Sequence, residues 1–343
     1  MRNSIKNFVS KNKNILNIIV LILITGLVLY FALKDDFDEI VYNLKNINIF
    51  YLLIAFVMIF VYWILRSMAL HSISKKVKKD NKFTGSFQLM LRTQFFNAIT
   101  PFSTGGQPYQ IWYLRKQGMS TPMATSVIIQ NFIVYQIALV FLGLVAVCVN
   151  SIFHIFQNES ILQHLVMIGF LVNTIVIVVM FIISFSKKLN KKLIHLGITI
   201  LTKLHLVKNK SKKLSEWDDY VNTFHEGAKI LLENKFDFIK AILYNLVALI
   251  CLYAIPLPLL YSMGDFTSYN LTTAVVTNAY VMLMGSFVPI PGASGGLEYG
   301  FMSFYDGFVS GAKLKTIMLL WRFVTYYFGL IVGSIALNIK RVK

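Results

Sequence analysis

Three ionisable side chains stand within apolar stretches of this chain: Arg92 in Leu91-Arg92-Thr93, Glu298 in Leu297-Glu298-Tyr299, and Arg322 in Trp321-Arg322-Phe323. A charge at bilayer depth is costly unless it is paired or wet, so each marks either a partner or a polar path. Two guanidiniums can hold a phosphate, and a carboxylate can accept from an amine or hydroxyl. Beside Glu298 runs Pro291-Gly292-Ala293-Ser294-Gly295-Gly296-Leu297-Glu298-Tyr299, and the first half carries its counterpart, Pro101-Phe102-Ser103-Thr104-Gly105-Gly106-Gln107-Pro108-Tyr109. Pro101, Pro108, Pro289 and Pro291 stop helices and leave carbonyls unpaired. Gly105, Gly106, Gly295 and Gly296 permit positive φ and close backbone approach. Ser103, Thr104, Gln107 and Ser294 add short-range hydrogen-bonding groups. A helix broken inside a membrane exposes free N–H groups and carbonyls, which offer polar contacts to a substrate at depth.

Two plainer readings stand beside this one. Glycine and serine also let membrane helices pack closely without any cavity. Glu298 or Asp306 also suits Arg322 as an internal salt-bridge partner that fixes helix packing. Arg66 lies near a helix end and can snorkel. The candidate substrate contacts are Arg92, Thr104, Gly105, Gly106, Gln107, Ser294, Gly295, Gly296, Glu298 and Arg322. Enzyme templates fail: the sequence has no G-x-x-x-x-G-K-[ST], no H-E-x-x-H, no G-x-S-x-G and no paired-cysteine zinc pattern. The six histidines are scattered, and Cys148 and Cys251 fall in apolar spans. The chain therefore suggests no catalytic residue, no metal site, no cofactor and no energy source of its own.

The elements that must position these residues are membrane helices. The 343 residues are 56% hydrophobic and 14% charged, with a mean hydropathy of +0.64, which excludes an ordinary soluble domain. Apolar stretches at 14–33, 49–70, 123–149, 163–185, 237–263 and 316–339 each suffice to cross a hydrocarbon core of roughly 30 Å as a helix. The first is read as a retained span, because no small-x-small cleavage site follows it.

The net charge of +18 is topological and gives no reason to invoke nucleic acid. Cations cluster at 2–13, 75–82, 115–116, 187–235 and 340–343, whereas 34–48 is acidic, 150–162 has no Lys or Arg, and 264–269 holds only Asp265. The cation-rich segments, with both termini, are expected in the cytoplasm. Regions 83–117 and 270–311 then fit as re-entrant helical hairpins entering from opposite faces. The fold class expected is an all-α polytopic membrane protein with about six transmembrane helices and two re-entrant hairpins. It forms one membrane domain over 1–343, with inverted repeats at about 14–149 and 163–339. Phe132-Ile133-Val134-Tyr135 aligns with Phe323-Val324-Thr325-Tyr326 and extends the repeat. Lys313 and Lys315 violate the charge pattern, since they fall outside. In the insert 186–235, Leu189, Leu193, Leu196, Ile200 and Leu204 recur at helical spacing, as do Leu214, Trp217, Val221, Phe224 and Ala228. Two amphipathic cytoplasmic helices are expected there.

The P-F-S-T-G-G-Q-P, P-I-P-G-A-S-G-G-L-E and W-R-F-V-T-Y-Y segments together resemble the transmembrane flippase-like region of the lysylphosphatidylglycerol synthase/flippase family. The resemblance covers nearly the whole chain. It implies a multi-pass protein of the bacterial inner membrane that moves phosphatidylglycerol or its lysyl ester across the bilayer, lowering sensitivity to cationic peptides. Two alternatives remain: a membrane subunit serving a separately encoded lysyltransferase, and a transporter of an isoprenoid-linked sugar beside a glycosyltransferase. Membrane phospholipids are the expected partners, and a homo-oligomer is compatible with the sequence. The insert is too small to hold an acyltransferase that also binds tRNA, so no synthase domain is expected within the chain. Many members carry Glu where Gln107 stands, which leaves the polar groups of the two motifs unlike.

Overall fold

The computed structural model describes residues 36–156, 160–204, 206 and 209–340. The expected first span, 14–33, and the N-terminal cations lie outside the described residues, as do Arg341 and Lys343 at the C-terminus. All regular structure among the described residues is helical. Helix α1 (Phe37–Lys45) precedes α2 (Ile49–Val77), α3 (Phe83–Ala98) and, after a 3-10 turn at Pro101–Ser103, α4 (Gly106–Lys116). Then follow α5 (Thr121–Phe153), α6 (Ser160–Phe185), α7 (Lys187–Lys203), α8 (Lys210–Glu233), α9 (Lys235–Tyr253) and α10 (Pro256–Ser262). Helix α11 (Leu271–Gly285) leads through a second 3-10 turn, Pro291–Ala293, to α12 (Gly296–Tyr305). Helix α13 (Gly311–Arg322) passes through a π-turn, Phe323–Tyr327, into α14 (Phe328–Asn338).

Among the described residues, five segments are long and apolar enough to cross a membrane: Ile49–Val77, Thr121–Phe153, Leu162–Phe185, Lys235–Ser262 and Gly311–Asn338. They coincide with the five expected spans that the structure describes. The fourth is interrupted before Pro256, whose ring cannot supply the N–H that a continuous helix needs. The acidic connection 34–48, read as a link between spans, contains α1. Its first turn carries Asp38 and Glu39 and its last turn Lys45, charges that suit the helix dipole.

Helices α3 and α4 pack against each other across the first 3-10 turn, and α11 packs against α12 across the second. The two turns also pack against each other, while α14 lies along α3 and α9 along α2. One large core, including Trp63, Phe301, Tyr305 and Trp321, fills the space between these elements. The insert folds as helices α7 and α8. Val221, Phe224 and Ala228 of α8 are buried, and α8 packs on α5, with Tyr220 and Thr125 hydroxyls 2.7 Å apart.

Lys313 and Lys315 find local partners: Lys313 Nζ lies 3.2 Å from Asp265 Oδ2, and Lys315 Nζ lies 2.5 Å from Asp36 Oδ2. The two lysines that break the charge pattern thus sit against the acidic connections expected on the same side.

Candidate functional site

The two proline-glycine motifs share one backbone as far as Ser103 and Ala293. Thr100 and Ile290 are extended, at φ −118°, ψ 144° and φ −113°, ψ 144°. Phe102 and Gly292 then enter the left-handed region, at φ 53°, ψ 17° and φ 65°, ψ 11°. Ser103 and Ala293 follow with φ 53° and 50°. Left-handed backbone costs a non-glycine residue roughly 1–2 kcal/mol, so Phe102, Ser103 and Ala293 are held there by their surroundings. Such strain gathers where function fixes geometry.

The motifs part company at Thr104 and Ser294, where ψ is −12° in the first and 140° in the second. Of the four glycines, read as permitting positive φ and close backbone approach, Gly295 alone uses the first, with φ 86°. The other three are needed for space. A Cβ on Gly105 would lie 2.6 Å from Thr100 Cγ2, one on Gly106 would collide with Asn97 Oδ1, and one on Gly296 would lie 2.5 Å from Val288 Cγ2. Helices α4 and α12 begin directly at these glycines, so their first turns are pressed onto the arms that precede them.

Glu298 occupies the third position of α12, where a carboxylate can reach back to the N–H that opens the helix. Its Oε2 accepts from Gly295 N–H at 2.7 Å. Its Oε1 lies 2.7 Å from Arg322 Nε. That N–H does not point along the contact, so the attraction there is ionic. Arg322 Nη2 donates to Gly292 O at 3.0 Å and to Ser294 Oγ at 3.3 Å, and the guanidinium lies 4.7 Å from the Tyr326 ring centroid. Both side chains of the pair are buried. Arg322 therefore joins α13, the left-handed turn and α12. It is the last residue before the π-turn, a helix distortion that frequently accompanies functional sites. Asp306, the other suggested partner, is exposed at the end of α12.

Arg92 is elsewhere. Its Nε donates to Ala336 O at 3.0 Å and its Nη2 to Ile339 O at 2.5 Å, while Gln88 Nε2 donates to Lys340 O at 2.7 Å. These carbonyls belong to the end of α14, where they lack partners within the helix and a cation is favoured. The geometry gives Arg92 the position of a helix cap.

Between the motifs and the spans lies a cavity of about 780 Å³. Thr104, Gln107 and Arg322 line it, with Phe102 and Ser103 from the first turn and Gly292 and Ala293 from the second. Gly105, Gly106, Ser294, Gly295, Gly296 and Glu298 are not among the residues that line it. Tyr326, whose hydroxyl donates to Ala98 O at 2.9 Å, ties α3 to the π-turn at the cavity edge.

Arg66, read from the sequence as able to snorkel from near a helix end, was not among the candidate contacts. It lines the cavity, donates through Nη1 to Asn245 Oδ1 at 2.6 Å and lies 3.9 Å from the Tyr135 ring centroid. The signal was present in the aligned FIVY and FVTY segments, because Tyr135 and Tyr326 each place an aromatic face against a cavity arginine. The polar amides of the lining, such as Gln94, Asn97 and Asn131, were hidden because each is a single polar residue in an apolar helix. Only the folded helices bring them together.

Comparison with known proteins agrees with this architecture. The family profile described as "Lysylphosphatidylglycerol synthase TM region" matches residues 17–333. A "UPF0104 membrane protein" of Archaeoglobus fulgidus is 23% identical over 325 residues, covering 88% of this chain and 89% of the relative. An "Uncharacterized protein MG306 homolog" of Mycoplasma pneumoniae is 21% identical over 271 residues, covering 71% of this chain and 65% of the relative.

Proposed function

Because the chain belongs to the lysylphosphatidylglycerol synthase TM-region family, we propose that it translocates a phospholipid, phosphatidylglycerol or its lysyl ester, with the headgroup passing through the cavity between the two 3-10 turns. One observation carries this reading: two breaks of matching backbone meet at a cavity that also receives two arginines. In a bilayer, irregular backbone is tolerated where it is enclosed by protein or lines a polar path, and paired broken helices are a recurrent way to build a substrate site near the midplane. The proposed topology is span, span, re-entrant hairpin, span, repeated in inverted orientation, with both termini cytoplasmic in a bacterial cell membrane.

Thr104, Gln107 and Arg322 would meet the headgroup directly. The glycines, Ser294 and Glu298 would set the width of the passage. The acyl chains would remain in the lipid beside the cavity, which lets the protein supply only the polar half of the path. The test is translocation of labelled phosphatidylglycerol and lysyl-phosphatidylglycerol in liposomes containing the purified protein. Transfer of either lipid faster than in empty liposomes is expected. If neither moves faster, with or without an ion gradient, the translocator reading fails.

A further inference from the structure

Helix α7 is amphipathic in the opposite sense to a helix that covers a soluble core. Leu189, Leu193, Leu196 and Ile200, with Leu204 just after the helix, are between 37% and 62% exposed. At 3.6 residues per turn these five positions fall within about a quarter of the helix circumference. A helix packed on a water-soluble domain turns such a stripe inward. Here the other side faces the protein: Ile198 is buried, and Lys191 Nζ and His195 Nε2 lie 3.3 Å and 3.1 Å from Asp218 Oδ1 of α8. The polar contact with α8 thus holds the apolar stripe outward.

Connectivity and charge say what lies beside the stripe. Helix α6 carries the span Leu162–Phe185 and exposes Val178, Val179, Phe181 and Ile182 near its end. Ser186 alone separates that end from Lys187, the first residue of α7. Its backbone leaves helical geometry at φ −96°, ψ 83°, and its hydroxyl accepts from Leu189 N–H at 3.4 Å. The span therefore stops and α7 starts at the membrane boundary. Lys188, Lys192 and Lys203 are exposed and run along one edge of the stripe. Protein interface cores gather aromatics and exclude lysine, whereas this stripe holds only Leu and Ile with lysine at its edge. Such a lysine can lay its stem on hydrocarbon and keep its ammonium among headgroup phosphates.

We infer that α7 is an interfacial helix, with its leucine stripe seated in the acyl–headgroup boundary of the leaflet where α6 ends and Lys188, Lys192 and Lys203 bound to anionic headgroups of that leaflet. The contact is with the bilayer surface and uses no residue of the cavity. Because Asp218 joins α7 to α8, and α8 packs on α5, a helix that lines the cavity is tied to that surface.

The test measures depth in the membrane. In purified protein carrying Cys148→Ser and Cys251→Ser, Leu193→Cys, Leu196→Cys, Ile200→Cys and Ser211→Cys are spin-labelled one at a time. Each protein is reconstituted in phosphatidylcholine vesicles with and without phosphatidylserine, which supplies negative charge and is not the proposed cargo. Collision of the label with oxygen, which concentrates in hydrocarbon, is compared with collision with a water-soluble nickel chelate. The oxygen-to-nickel ratio should be higher at the three stripe positions than at Ser211, and should rise further there with phosphatidylserine. Lys188→Gln, Lys192→Gln and Lys203→Gln combined should abolish that rise. A stripe ratio no higher than at Ser211 places the stripe in water and overturns the inference. Low collision with both reagents means that a second copy covers the stripe, which also overturns it. Stripe labels in hydrocarbon that ignore phosphatidylserine overturn the role of the lysines. If the triple variant does not fold, the comparison of the two vesicle compositions decides alone. Absence of lipid translocation in the same vesicles would defeat the transport reading and leave this inference standing.

Discussion

Phe102 and Gly292, at equivalent positions of two motifs in opposite halves of the chain, share one left-handed backbone conformation, with φ 53° and 65°. They differ in what surrounds the side-chain direction. Phe102 is more than half exposed, whereas a Cβ on Gly292 would run into the Tyr326 ring. The backbone demand is common to both sites, and the packing demand belongs to one.

That difference predicts opposite responses to exchange. Phe102→Gly removes a left-handed non-glycine residue and little buried surface, so thermal unfolding in detergent should shift by no more than the roughly 1–2 kcal/mol at stake, and upward. Gly292→Ala must displace Tyr326 and loosen its hydrogen bond to Ala98, so unfolding should occur several degrees lower. A neutral Gly292→Ala would show that the turns are not pressed against the last span.

The Glu298–Arg322 contact gives a second prediction. Removing one member of a buried pair leaves the other charge without compensation, at a cost of about 3–5 kcal/mol. Glu298→Gln and Arg322→Gln should each lower stability on that scale. The double variant should be less destabilised than the two losses added together. Strict additivity in a double-mutant cycle would mean that the two charges do not interact. Where either variant remains folded, slower lipid transfer per folded molecule is expected, because both groups shape the second turn.

How far the sequence could reach is visible in these same residues. The spans were legible because roughly twenty apolar residues in a row have few other uses, and the motif was legible because proline and glycine cannot hide in a helix. Glu298 as a partner of Arg322 followed from the cost of isolated charge at depth. The role of Arg92 did not follow: its acceptors, Ala336 O and Ile339 O, are backbone atoms from the far end of the chain, and no side-chain pattern announces them. The surroundings of Arg66 were hidden for a related reason. Its position along α2 allowed snorkelling, and only the packing of α9 and α5 beside α2 shows Asn245 and Tyr135 holding it toward the cavity. Both uses of the motif glycines, positive φ and close approach, were legible, but which glycine serves which was not, because the atoms that Gly105, Gly106 and Gly296 make room for lie on other turns.

The loop before α11 should report on pH. Asp265 lies outside the spans, and its carboxyl is held well below the usual carboxylate range, first by the Ser268 hydroxyl at 2.7 Å, then by the Ser268 and Thr267 N–H groups and Lys313, against the opposing effect of burial. A carboxyl lowered on folding adds stability that is complete above its unfolded pKa and fades as pH falls toward the folded value. The contribution should thus be present at neutral pH and decline below about pH 4. Comparing unfolding temperatures at pH 7 and pH 3, the wild type should lose more than Asp265→Asn. An equal loss in both proteins would remove Asp265 from the acid response.

Orientation can be tested through the two lysines that break the charge pattern. Asp36 meets Lys315 and Asp265 meets Lys313, so the start of α13 shares one end of the molecule with the connections before α2 and α11. Lys76, in the last turn of α2, instead pairs with Asp237 at 2.6 Å. A helix of 29 residues such as α2 is about 43 Å long, enough to carry these two ends to opposite membrane faces. Cations are more numerous at the Lys76 end and in the insert, which favours that face as cytoplasmic. Single cysteines replacing Lys45 or Gly307 should therefore react with an impermeant maleimide on intact cells, while cysteines replacing Lys79 or Ser211 should react only after permeabilisation. The reverse pattern would invert the protein in the membrane. Labelling of all four on intact cells would mean that α2 does not cross, which would overturn the proposed inverted topology.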